Sequence, residues 1–158
     1  MTYKQHKTTI AQARRSVMSN IEEGTTCPCC DQYCRLYKRK LNSGMAAGLV
    51  WLVRQYLKDR QWVDIPNRAP RFLLRTGGQF SVLAHWGLIE QRINEDDKKR
   101  TSGFWRPTKK GIDFVKRRIS VPSHVHLYNN EVRGWSDKNL DIDAALGKKF
   151  SYKELMAS

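Results

Sequence analysis

Apolar residues recur at three- and four-residue steps in two long stretches of the chain. Ile10, Ala13, Val17 and Ile21 form one stripe, which predicts a helix from Thr8 or Thr9 to about Glu23, ended by Gly24. That stripe is either core or a dimer seam. Met45, Leu49, Leu52, Val53, Tyr56 and Leu57 form a broader face, widened by Val50 and Trp51, on a helix capped by Asn42 or Ser43. Gly44 and Gly48 weaken that helix unless another element packs closely against them.

Between 61 and 119 the pattern shortens. Trp62-Val63-Asp64-Ile65 reads as a brief extended piece followed by a loop. Pro70 opens a short helix at its first position, with Arg71 and Arg75 outward and Phe72, Leu73 and Leu74 mostly inward. Gly77-Gly78 turns the chain, and Gln79 to Trp86 is a further helix. Gly87 stops it, and Leu88 to Ile93 then reads as a strand. Asn94 to Gly103 is a charged hairpin tip. Phe104-Trp105-Arg106 returns as a strand ended by Pro107, which cannot donate to a ladder. Thr108 caps a last helix carrying Ile112, Phe114, Val115 and Ile119. Helix, hairpin, helix in this order is the winged-helix plan.

The stretch WGLIEQR…DDKKRTSGFWRPTKKGIDFV resembles the end of a MarR-type winged-helix domain. Gly87-Leu88-Ile89, Asp97, Arg100, Thr108 and Gly111 match its strand, its charged wing and the Thr-x-x-Gly start of the following helix. The whole chain also resembles a group of small, uncharacterised bacteriophage proteins that join a Cys-Pro-x-Cys segment, a KRKLNSGMA run and such a domain. The first resemblance implies a recognition helix at Gln79–Trp86 and usually transcriptional regulation. The second implies no particular activity.

Beyond Ile119 the pattern changes. Val125, Leu127 and Tyr128 suggest a strand, Asn129-Asn130 a turn, and Asn130 to Trp135 a returning strand. Asp143 to Leu146 is a short helix ended by Gly147. Ser151 and Glu154 form a capping box for a final short helix that needs docking. The expected architecture is α+β: a mainly helical winged helix-turn-helix with a β-hairpin wing, an N-terminal helix and a short αβ C-terminal extension. The expected divisions are 1–41, holding the first helix and a Cys-containing knuckle, 42–119, the winged-helix domain, and 120–158, an extension that packs on the domain or mediates association.

Charge sharpens this. The net charge is +14, and residues 1–118 carry 24 Lys and Arg against 10 Asp and Glu, while the remainder is balanced. A basic surface of this size favours a polyanion, above all nucleic acid, although a merely soluble basic protein or one that docks on an acidic protein fits the same composition. It rules out mimicry of DNA. No apolar run is long enough for a membrane span, and the first residues have no signal core, so a cytoplasmic protein is expected, in the host cytosol if phage-encoded.

Four cysteines lie between 27 and 34. They sit too close together to staple a fold, and a reducing compartment favours a metal or free thiols. Cys27 and Cys30 have the spacing of half a zinc site, with His124 and His126, or His6, as further ligands; the alternative is a tight turn of reduced thiols. A thioredoxin-like role lacks its βαβ surroundings. The basic run Arg35 to Lys40 offers Arg35, Lys38, Arg39 and Lys40 to phosphates, with Tyr33 or Tyr37 to stack on a base; a solvated strand or helix edge explains it equally well.

No catalytic constellation is visible. The carboxylates Glu95-Asp96-Asp97 lie at a solvent-exposed tip, and no phosphate loop or nucleophile elbow occurs, so no enzyme is expected. On the leading reading, Lys98, Lys99 and Arg100 reach a groove edge, and Arg71, Arg75, Arg106, Lys109 and Lys110 clamp the backbone. Gln79, Ser81 and His85 are the base-facing candidates. No cation stands among those three, so weak sequence specificity is expected. The competing reading is an interaction module docking on a host or phage protein complex, such as a defence system or polymerase.

Overall fold

The computed structural model describes residues 7–75, 77–94 and 102–157. The hairpin tip, with Asp97, Lys98, Lys99 and Arg100, lies outside the described residues, as does His6. The protein is mixed α+β and divides into two compact units. One comprises residues 1–39 and 126–134, the other 40–125 and 135–158.

In chain order the first elements are helix α1 (Ile10–Asn20) and strands β1 (Thr25–Thr26), β2 (Tyr33–Cys34) and β3 (Tyr37–Lys40). Thr9 caps α1 with a complete capping box: its Oγ1 accepts from the Gln12 N–H at 3.2 Å, and Gln12 Oε1 accepts from the Thr9 N–H at 2.9 Å. Ala13, Val17 and Ile21 are buried as their spacing requires, but Ile10 is 79% exposed and does not join the stripe. Val17, Ile21 and Leu36 form a small core, with Met18, Cys27, Cys34 and Tyr128 packed against it. Each such aliphatic side chain contributes about 1.5–3 kcal/mol by burial. β1 and β2 pair antiparallel, Thr25 opposite Cys34, and hold the Cys-containing loop between them.

The second unit is built on helix α2 (Ser43–Asp59). Asn42 caps it by accepting from the Met45 N–H at 2.9 Å, and Arg60 ends it in a left-handed conformation. Met45 through Val50, Leu52 and Val53 are all buried, so the helix is covered on most of its circumference. A Cβ at Gly48 would crowd Leu73 and Phe80, which explains a glycine inside this helix. Strand β4 (Val63–Asp64) follows, then α3 (Ile65–Arg68), α4 (Arg71–Leu74) and a 3₁₀ helix (Gly77–Trp86). Strands β5 (Ile89–Gln91) and β6 (Phe104–Pro107) complete an antiparallel sheet in the order β4-β6-β5, with Val63 opposite Trp105 and Glu90 opposite Arg106.

Helix α5 (Lys109–Val115) comes next, then β7 (Val121–Pro122), β8 (His124–Tyr128), β9 (Glu131–Trp135), β10 (Asn139–Leu140), α6 (Ile142–Leu146) and α7 (Tyr152–Ala157). β10 pairs with β7, and a second three-stranded sheet runs β3-β8-β9. Asn129 and Asn130 have φ of 50° and 61°, the pair of left-handed residues a two-residue hairpin turn needs. α6 and α7 pack on α2: Arg54 donates to the Leu155 carbonyl at 2.7 Å, and Tyr152 Oη donates to the Val115 carbonyl at 2.9 Å.

Several expectations are corrected. Residues 65–68 are helical, because Asp64 caps them and Pro66 suits a first turn. Pro70 is the N-cap of α4, not its first helical residue, and Leu74 is 50% exposed because four residues turn only one buried position, Leu73, inward. α5 stops at Val115, leaving Ile119 outside it, since Arg117 adopts φ 64°. Residues 126–134 group with residues 1–39, and 120–125 and 135–158 with the second unit.

Candidate nucleic-acid interface

The segment Gly77–Trp86 is a 3₁₀ helix, not an α-helix. Its buried residues explain the pitch. Phe80, Leu83 and Trp86 recur every third residue and are at most 5% exposed, and side chains three apart eclipse one another in a 3₁₀ helix. Phe80 meets the edge of Trp105 at 6.1 Å, and Trp86 Nε1 donates to the Pro122 carbonyl at 2.8 Å. Ser81 and Ala84 make a second, exposed row. Gln79, Val82 and His85 make a third, half-buried except for Gln79. The three base-facing candidates are therefore divided between two rows. Gln79 Oε1 accepts from Asn42 Nδ2 at 3.0 Å, which ties it to the α2 cap.

The cations gather elsewhere. A groove of about 590 Å³ lies between the end of α2, β6 and α5. Arg60, Arg106, Lys109, Lys116 and Arg118 line it, against the carboxylates of Glu90 and Asp113. Arg106 binds Glu90 at 2.5 Å and stacks over Trp62 at 4.2 Å. Arg118 binds Asp113 at 3.0 Å. Lys109 and Lys116 are exposed and make no ion pair among the described residues. Arg60 lies over the Tyr56 ring at 5.6 Å. Five cations against two carboxylates leave the groove positive, with tyrosine and proline as its apolar floor.

Of the residues expected at the interface, Arg106 and Lys109 line this groove. Lys110 does not: its Nζ donates to the Trp86 carbonyl at 2.8 Å, capping the 3₁₀ helix from outside. Arg71 and Arg75 are exposed at α4, and Arg35, Lys38, Arg39 and Lys40 are exposed along β2 and β3. Arg60, Lys116 and Arg118 also line the groove and are not among the residues the sequence assigned to an interface. The Lys116-Arg117-Arg118 run was visible, but it reads as a continuation of α5 until Arg117 breaks it. Arg117 itself faces away, to Asp143 at 2.8 Å, and that carboxyl is held below the usual range, first by the guanidinium hydrogen bond.

The cysteine loop borders a second groove, of about 770 Å³, in the first unit. All four thiols are free. The backbone N–H groups of Cys30 and Cys29 hydrogen-bond to the Cys27 sulfur and hold its thiol below the ordinary range. Burial pushes the Cys29 thiol up. Cys34 hydrogen-bonds Tyr128, and that contact raises the phenol's pKa. Asp31 turns the loop at φ 59°, and its N–H donates to the Cys27 carbonyl at 3.0 Å. His124 and His126 do share one face of β8, as expected of alternate strand residues. His124 Nδ1, however, pairs with Ser123 Oγ at 2.8 Å, and His126 lies over Gly134. Among the described residues no three Cys, His, Asp or Glu side chains converge as metal ligands would, so neither His124 nor His126 joins Cys27 and Cys30 in such a group. Among them, too, no helix is long and apolar enough to cross a membrane.

Set beside known proteins, the chain matches no protein-family model, no curated protein and no solved structure.

Proposed function

We propose that this chain is a small winged-helix protein of phage type that binds nucleic acid, DNA in the first place, mainly through phosphates and with weak sequence specificity. The fold reading is supported by the order of elements in the second unit. α2, β4, the short helices, the 3₁₀ helix and a β5–β6 hairpin follow one another, and the first strand joins the sheet beside β6. The single observation that carries the binding reading is the groove with five cations and two carboxylates; the 3₁₀ helix, for its part, offers no Lys or Arg to a base edge.

The test is fluorescence anisotropy with a random-sequence duplex over a range of salt. Log affinity falls linearly with log salt, and Lys109→Ala with Lys116→Ala lowers that slope by about 0.9 for each phosphate no longer neutralised. Undetectable binding at low salt, or binding that ignores salt, overturns the reading. The exposure of Leu74, at 50%, favours a second reading, docking on a protein. On that reading a partner survives nuclease treatment and does not respond to the two lysine substitutions.

A further inference from the structure

The first unit carries a feature that the groove of the second does not account for. From Tyr33 to Tyr37 the chain alternates strictly between exposed and inward side chains. Cys34 and Leu36 turn toward the α1 core, and Tyr33, Arg35 and Tyr37 turn away from it. Arg39, two residues further along β3, is exposed as well, as are Lys38 and Lys40. Tyr33 is 64% exposed and Tyr37 61%, which is unusual for rings of this size on a folded surface. Exposed tyrosine and arginine thus alternate twice along this segment, with no acidic residue between positions 33 and 40.

This row is held in place from beneath. The Leu36 N–H donates to the Ile21 carbonyl at 2.8 Å, anchoring the middle of the row to the end of α1. Tyr33 is paired through β2 to Thr26, and its hydroxyl end lies so close over Gly24 that any Cβ there would collide with it. Gly24 has φ 93°, so the position is closed to side chains on backbone grounds as well. β3 is an edge strand of its sheet, so nothing in that sheet lies beyond it. Cations on an edge strand also guard against edge-to-edge pairing, which accounts for Lys38 and Arg39. It does not account for two exposed aromatic rings, which work against that guard.

We propose that Tyr33, Arg35, Tyr37 and Arg39 form a stacking platform for single-stranded nucleic acid, separate from the phosphate-binding groove. The rings take base faces, and the guanidinium groups take the phosphates that run beside them. This rests on the nucleic-acid reading above and adds to it the form of the ligand and its place. Since every base has a π-face, the platform tolerates sequence, in keeping with the lack of base-reading side chains on the 3₁₀ helix.

The test uses the full chain and labelled oligonucleotides of equal length: oligo-dT, oligo-rU and a duplex. Tyr33→Ala with Tyr37→Ala lowers affinity for the single strands by about tenfold per ring, whereas Tyr33→Phe with Tyr37→Phe stays within about twofold. Neither pair changes the salt slope, because stacking releases no counterions. Arg35→Gln with Arg39→Gln lowers the single-strand slope by about 0.7 per phosphate. Duplex affinity is unchanged by the tyrosine substitutions and falls with Lys109→Ala and Lys116→Ala. Circular dichroism confirms that each variant is folded, and the phenylalanine pair keeps the test valid if the alanine pair unfolds: a large loss on Tyr→Phe overturns stacking. Equal single-strand binding by the wild type and the folded alanine pair also overturns the platform while leaving the groove intact. Binding of no nucleic acid at all overturns both.

Discussion

The backbone of Gly111 lies directly against the Leu88 carbonyl, so closely that a Cβ on residue 111 would overlap the oxygen. The same carbonyl accepts from the Thr108 N–H at 3.0 Å. Thr108 Oγ1 donates to the Gly87 carbonyl at 2.5 Å and accepts from the Gly111 N–H at 3.1 Å. Thr108 and Gly111 therefore clamp the first turn of α5 onto the start of β5, which is the physical content of a Thr-x-x-Gly following a Gly-Leu-Ile. Gly111→Ala forces backbone apart and destabilises by about 1–3 kcal/mol. Thr108→Ala costs about 1 kcal/mol, and Thr108→Ser recovers most of it. Urea denaturation measures all three, and a neutral Gly111→Ala contradicts the clamp.

The pitch of Gly77–Trp86 is testable by a substitution series. Leu83→Ala and Phe80→Ala each cost about 2–5 kcal/mol, as core truncations do. Ala84→Ser stays within about 0.5 kcal/mol. An α-helical pitch would instead bury position 84 beneath Phe80, and a large loss at Ala84→Ser would show it.

Cys27 is a more reactive thiol than Cys29. Its sulfur accepts N–H groups from Cys30 and Cys29, which favour the thiolate, whereas partial desolvation and the neighbouring Cys27 and Cys30 sulfurs hold the thiol of the exposed Cys29 up. Iodoacetamide at neutral pH labels Cys27 before Cys29, and the gap narrows as pH rises past the ordinary thiol range. Peptide mapping after short exposures reads the order. Equal labelling of the two at every pH contradicts it.

Arg117 and Asp143 supply an acid-side contribution to stability. Asp143 accepts from the guanidinium at 2.8 Å through both oxygens, and its folded pKa lies below its unfolded one. The unfolded state then binds the proton first as pH falls. The contribution is whole above the ordinary carboxylate pKa of about 3.9 and is lost as pH drops through the lower folded value. Both side chains are about half exposed, so the effect is small and weakens with salt. Asp143→Asn lowers the melting temperature slightly near neutrality and leaves it unchanged in strong acid, so the acid limb becomes shallower. An unchanged acid limb contradicts the assignment.

Local chemistry was legible from residue order. Thr108 and Ser151 cap helices where side chain and spacing place them, and Thr9 and Asn42 are each one of the two caps the spacing allows. The stripe from Ala13 to Ile21, the buried face of α2, the Asn129-Asn130 turn and the clustered cysteines follow from neighbours in sequence. So does the confinement of the excess charge to residues 1–118. Long-range packing decided the rest. The 3₁₀ pitch depends on what Phe80, Leu83 and Trp86 pack against, and α-helical spacing fits the same letters. Whether a cation is free depends on partners far along the chain: Glu90 engages Arg106, Asp143 engages Arg117, and the Trp86 carbonyl engages Lys110. Side-chain type sets the sign of a charge, but only the folded neighbourhood sets whether that charge remains to meet a ligand.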